Sequence, residues 1–129
     1  MQRGFLKLAA LLSAISVILG AFGAHTLKQY INDKSLLTFE TGVRYQFYHA
    51  LALLLTGILY KEFSNKSLLW AGRMFCLGIL LFSGSLYFLA VVNLSQNAGL
   101  KGIGAITPLG GVCFIAGWIL LFIGVSKKN

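Results

Sequence analysis

The sequence predicts an all-α integral membrane protein, a four-helix transmembrane bundle with short loops. Long charge-free stretches, a composition too apolar for a water-facing surface, and small residues recurring at helical spacing all point to it. Residues 8–27, 74–100 and 102–126 contain no Asp, Glu, Lys or Arg. Crossing roughly 30 Å of hydrocarbon at about 1.5 Å per residue takes about 20 residues, so each stretch is long enough. A fourth stretch, 45–60, is nearly as apolar and reaches that length once its flank from Gly42 is included. Lipid offers the backbone no hydrogen-bonding partner, so helix is the conformation open to segments of this kind.

The first span is expected over 5–24. Arg3 and Lys7 precede an apolar run, and Ala21-Phe22-Gly23 resembles a small-x-small cleavage site. That run exceeds the usual signal core of about 7–15 residues, so it reads as a span. The second is expected over 42–60, the third over 69–94 and the fourth over 103–125, all within one domain covering 1–129. Connectors fall at 25–41, 61–68 and 95–102. The first can carry structure of its own. Leu36, Leu37, Phe39 and Val43 sit at mixed helical spacing with Asp33, Ser35 and Glu40 among them. This pattern fits a short interfacial helix or an extension of the second span, with Asp33 or Ser35 as N-cap. Asn65 and Asn97-Ala98-Gly99 supply turn chemistry. Pro108 sits in the first turns of the fourth helix, where a missing N–H costs least.

With 129 residues, 57% of them hydrophobic and 11% charged, no soluble domain fits beside the spans. The net charge of +8 does not imply nucleic acid, because the basic residues cap apolar segments instead of forming a basic face. Placing both termini and the second connector on one side gathers Arg3, Lys7, Lys61, Lys66, Arg73, Lys127 and Lys128 there. Lys28, Lys34, Arg44 and Lys101 remain on the other. Seven against four favours cytoplasmic termini. Tyr60 and Trp70 suit the inner interface, and Tyr30, Tyr45 and Tyr48 the outer one. Cys76 and Cys113 should differ in depth by about 10 Å, too far for a disulfide, and read as packing residues.

Each span carries a stripe of small or polar residues: Ser13, Ser16, Gly20, Gly23 and Ala24; Gly42, Tyr45, Gln46, His49, Ala52 and Thr56; Gly72, Cys76, Ser83 and Ala90; Gly110, Cys113, Gly117 and Gly124. Spacings of three, four and seven put each set on one helix face. In lipid, helices associate by close approach at small residues and by interhelical hydrogen bonds, so four such faces predict a bundle.

Polar groups at membrane depth gather toward the outer half. His25 ends the first span, Tyr45, Gln46 and His49 open the second, Ser83, Ser85, Tyr87 and Asn93 lie in the third, and Thr107 opens the fourth. Such groups are costly in lipid without partners, which makes them candidate site residues. Gln46 and His49 should point inward, with His49 one to two turns below the interface. Each has a plainer structural role as well. His25 can cap carbonyls or sit among headgroups, His49 can be a hydrogen-bonded core histidine, and Ser83 and Ser85 can bond back to their own helix. Tyr87 can be simple packing. Glu40 and Arg44, four apart, should pair at the surface, away from the His49 face. Two imidazoles on adjacent helices can clamp haem iron, but His25 and His49 are the two histidines of the chain and no acid is placed beside them. No cofactor, metal or catalytic residue is therefore expected, and no Ser-His-acid spacing stands out.

Gly20-Ala21-Phe22-Gly23-Ala24-His25, Tyr45-Gln46-Phe47-Tyr48-His49-Ala50-Leu51-Ala52-Leu53, Phe82-Ser83-Gly84-Ser85-Leu86-Tyr87 and Ile106-Thr107-Pro108-Leu109-Gly110-Gly111, in that order, resemble the bacterial YwdK/YgdD-like family over essentially the whole chain. The resemblance implies a small four-helix protein of the bacterial plasma membrane and carries over no catalytic or binding residue, because the family's molecular function is not established.

Short loops, small size and close-packing glycines favour a non-enzymatic bundle that binds lipid, a membrane protein partner or a second copy of itself. The first alternative is an oligomeric transporter or channel using His49, Gln46 and Tyr87 as an outer-half polar path. An enzyme acting on a membrane-soluble substrate is the remaining alternative.

Overall fold

The computed structural model describes residues 1–92 and 98–128 of the chain. Among these residues the protein is helical throughout, with no strand. Helix α1 runs Arg3–His25, and after a 3-10 turn at Leu27–Gln29 helix α2 runs Asp33–Phe63. Helix α3, Lys66–Gly78, passes through a π-helical stretch at Ile79–Ser83 into α4, Gly84–Val92. A 3-10 segment, Ala98–Ala105, leads into α5, Ile106–Ser126. The expected end of the third span at Leu94, with Asn93 and the start of its connector, lies outside the described residues.

Three stretches are long and apolar enough to cross a bilayer: Arg3–Gln29, Lys66–Val92 and Gly102–Ser126. At 31 residues α2 is the longest helix, yet it falls short on apolarity. Arg44, Gln46 and His49 along its length lower its hydropathy. Of the two readings of the 25–41 connector, the extension holds from Asp33 onward, so α2 begins well before Gly42. Its N-cap is neither Asp33 nor Ser35. Asn32 takes that place, its side-chain oxygen accepting from the Ser35 N–H at 2.7 Å. The membrane-capable stretch Gly102–Ser126 matches the span expected over 103–125, although it is α-helical only from Ile106 because Gly102 to Ala105 winds as 3-10 helix. Pro108 falls in the first turn of α5, as expected.

The helices pack antiparallel to their chain neighbours. Gln2 N–H donates to the Gly57 carbonyl at 3.0 Å at one end of the α1–α2 pair, and Gly23 meets Phe39 at the other. In the α3/α4–α5 hairpin, Gly124 lies beside Leu68 and Gly110 beside Phe82. Small residues form the contacts. Ser16, Gly23, Gly42, Ala52, Thr56, Gly72, Ser83, Ala90, Gly110, Gly117 and Gly124 are all buried. Aromatic rings fill the spaces they leave: a Cβ on Gly117 would meet the Phe75 ring at 2.7 Å, and one on Gly72 would collide with the Phe5 ring. Leu11, Val17, Ile18, Leu80, Val112, Ile115 and Phe122 point outward, the inverse of a water-soluble protein. Cys76 and Cys113 are both free thiols, half-buried in this packing.

Asn65 closes the end at which α2, α3 and α5 meet. Its oxygen accepts from the Leu68 N–H at 3.2 Å and caps α3, while its Nδ2 donates to the Gly124 carbonyl at 2.9 Å. Asn65→Ala is expected to lose roughly 1–2 kcal/mol from the cap and the interhelical bond together. Asn65→Asp, which keeps the capping oxygen and loses the donor, should fall between the two. Equilibrium unfolding in mixed micelles checks the order.

Candidate functional site

The polar side chains that the sequence singled out divide into a buried set, which the fold brings together, and an exterior remainder. Gln46 is the centre of the buried set, at 3% exposure. It sits on the inward face of α2 between α1 and α4. Its Nε2 donates to the Leu12 carbonyl of α1 at 3.0 Å, and its Oε1 accepts from the Tyr87 hydroxyl of α4 at 2.6 Å. Both bonds together fix the amide, since a flipped group would set oxygen against the Leu12 carbonyl. Three helices are thereby tied at one residue. The Tyr87 ring leans on Phe39 with centroids 5.2 Å apart and covers Gly42, where a Cβ would lie 2.8 Å from it.

Ser83, the last residue of the π-helical stretch, does not bond back to its own helix as its plain reading had it. Fully buried, it donates to the Gly42 carbonyl of α2 at 2.7 Å. The wider π turn aims this hydroxyl across the interface. Ser85 follows the plain reading, donating to the Phe82 carbonyl at 2.8 Å, and also lies 2.5 Å from Thr107 Oγ1. A hydroxyl has one proton, so Thr107 is the donor in that second bond. It pins the start of α5 to α4.

His49 is 6% exposed and lies flat on the Phe114 ring of α5, with centroids 3.5 Å apart and planes 9° from parallel. Its Nδ1 lies 2.8 Å from the Tyr45 carbonyl, and its Nε2 accepts from Trp118 Nε1 at 3.1 Å. Indole N–H only donates, so Nε2 is the bare nitrogen and Nδ1 carries the proton. Both ring nitrogens are occupied by the protein itself. Phe114 and Trp118 flank the middle of the 21-residue α5, so His49 lies nearer mid-bundle than one to two turns from the rim. Gln46, bonded to Leu12 near the middle of the 23-residue α1, lies at similar depth.

Tyr45 is on the rim of this set, 39% exposed, with its ring 4.8 Å from Phe82. It contributes its backbone carbonyl to His49. His25 does not join the set at all. It is exposed at the end of α1, where its carbonyl accepts from Gln29 Nε2 at 3.4 Å. The two histidines are not brought together, so the clamp considered for haem does not form. Among the described residues, no group of three or more His, Cys, Asp or Glu is placed to hold a metal. Trp118 escaped the sequence reading. Its signal was its place in α5, one residue past the packing glycine Gly117, where an indole can reach a neighbouring helix.

On the opposite face of α2, two adjoining cavities open between α1 and α2. One, of about 310 Å³, is lined by Gly20, Leu37, Glu40, Val43 and Arg44. The other, of about 250 Å³, is lined by Ser16, Val17, Val43, Arg44, Phe47 and Tyr48. Val43 and Arg44 belong to both, so they make one groove. The expected Glu40–Arg44 ion pair is not formed; the Arg44 guanidinium reaches Thr41 Oγ1 at 3.4 Å instead.

Comparison with known proteins agrees with this membrane architecture. A family model described as a protein of unknown function, DUF423, matches residues 19–111. The UPF0382 membrane protein YwdK of Bacillus subtilis is 45% identical over 127 residues, covering 98% of both chains. The UPF0382 membrane protein SH2409 of Staphylococcus haemolyticus is 42% identical over 95% of both. The UPF0382 inner membrane protein YgdD of Escherichia coli K12 is 38% identical over 98% of this chain and 92% of its own. No solved structure matches. With its membrane-capable helices and relatives along nearly its whole length, this chain belongs to the DUF423 family of unknown molecular function.

Proposed function

We propose that this chain is a four-pass, non-enzymatic bundle of the plasma membrane that acts by binding lipid or a membrane protein partner on its outward surface. One observation carries the reading. The polar side chains inside the bundle spend their hydrogen bonds on the chain itself. Among the described residues, no buried side-chain nitrogen or oxygen lacks a partner. Gln46, Tyr87, Ser83, Ser85 and Thr107 all bridge helices, and His49 is held at both nitrogens. Groups fully satisfied in this way hold packing together. The transport path considered as the alternative would have to break these bonds at every step.

The fourth crossing is assigned to α2. Its 31 residues extend about 46 Å at 1.5 Å each, more than the hydrocarbon thickness, and it lies antiparallel between α1 and α3/α4. Partnering of Gln46 and His49 offsets the cost that keeps its hydropathy low. The seven-to-four basic bias supports cytoplasmic termini, and the inner-membrane name of the Escherichia coli relative supports the plasma membrane.

Native mass spectrometry of the protein released from membrane-derived nanodiscs tests the reading. The expected spectrum shows the chain with a stoichiometric lipid or a single protein partner. Repeated recovery of the bare chain overturns it.

A further inference from the structure

We infer that the groove between α1 and α2 is a site for a phospholipid with a phosphoethanolamine headgroup, held by Glu40 and Arg44. This rests on the reading of the chain as a binding bundle and names the ligand. Glu40 and Arg44 are one helical turn apart on α2 and line the same cavity without pairing with each other. A carboxylate and a guanidinium side by side, each open to a ligand, match a headgroup that carries an ammonium and a phosphate joined by a two-carbon link. Arg44 supplies the fork that suits phosphate, and Glu40 accepts from the ammonium. A phosphocholine group has no N–H to give Glu40, and a phosphoglycerol group offers that carboxylate only neutral hydroxyls in place of a charged ammonium.

The groove is polarised in the same sense as such a lipid. Its charged part lies toward the end where α1 stops, since Val43 packs against Gly20, close to His25. From there it runs inward along Val17, Val43 and Phe47, apolar walls for an acyl chain. The Ser16 hydroxyl on that wall is already turned to the Leu12 carbonyl at 2.8 Å. Arg44 stands about one turn deeper than Glu40, so its long stem lets the guanidinium rise toward the headgroup layer.

The test uses the purified full-length chain in detergent, titrated separately with phosphatidylethanolamine, phosphatidylglycerol and phosphatidylcholine of identical acyl chains, with bound lipid counted by native mass spectrometry. The wild type should retain phosphatidylethanolamine about tenfold more strongly than the other two, the scale of one charge-assisted hydrogen bond. Glu40→Gln should erase the discrimination against phosphatidylglycerol. Arg44→Gln should weaken all three, and Lys28→Gln, outside the groove, should change nothing. Glu40 is only half-buried and Arg44 is exposed, so both variants should keep wild-type helicity by circular dichroism. Equal retention of the three lipids by the wild type, or a preference unmoved by both groove variants, overturns the site. If the chain then still carries a protein partner, the binding-bundle reading stands without it. A chain that retains neither lipid nor partner ends both.

Discussion

Gly110→Val is expected to be the most damaging single substitution in this protein, destabilising it by about 3 kcal/mol or more. A Cβ at this position would strike the backbone nitrogen of Phe82 and come within 2.7 Å of its Cα. Side chains can turn aside, but a helix backbone cannot. The start of α5 would have to move off the π-helical stretch, and the Ser85–Thr107 bond beside it would go too. Gly84→Ala is the matching control. It lies two residues from Phe82, yet a Cβ there meets nothing within 4 Å. Because glycine is a poorer helix former than alanine by up to about 1 kcal/mol, Gly84→Ala should leave stability unchanged or raise it. Unfolding by SDS titration from mixed micelles gives both numbers. Equal effects of the two substitutions would mean that α5 does not approach Phe82 as closely as described.

The contrast between these two glycines shows how much of the fold was legible beforehand. Gly110, Gly117 and Gly124 could be read as one stripe because helical periodicity and the packing rules of lipid act on composition directly. Which glycine meets a ring, which meets a backbone and which meets nothing depends on register between distant helices, and spacing within one helix does not encode that. The polar residues divide the same way. That Gln46 and His49 face inward followed from their place on the α2 stripe. Their backbone partners were hidden, because Leu12 and Tyr45 contribute only carbonyls, a group that every residue has, as Gly42 does to Ser83. The π-helical stretch was equally silent: Ile79 to Ser83 reads as ordinary apolar helix. His25 misled for a related reason. A histidine next to a span looks like a site residue whether its helix end lies inside the bundle or outside it. The length of α2 was underestimated because hydropathy, the signal used for the spans, fades over 33–41, whereas the Asn32 cap that starts the helix there is a local contact.

His49→Ala is expected to cost roughly 2–3 kcal/mol, the lower part of the range for truncating a large buried side chain, because lipid supplies less transfer energy than water does. Two effects contribute, and a second variant separates them. His49→Phe keeps a flat ring against Phe114 but gives up both polar bonds, leaving Trp118 Nε1 without its acceptor. Its cost should be about 1 kcal/mol, the usual net value of a hydrogen bond. Trp118→Phe should then cost little in the His49→Phe background and about as much as His49→Phe does alone, a non-additivity expected for residues in direct contact. With Trp70 replaced by Phe, Trp118 is the chain's remaining tryptophan, so its fluorescence reports the loss of the His49 bond in the same samples. The outcome bears on function as well as stability. A histidine kept as a ligand or proton carrier would leave stability nearly untouched in both variants, and one kept as a structural joint would rank Ala below Phe below the native residue. Both imidazole nitrogens already have partners inside the chain, and the second ranking is the one this geometry requires.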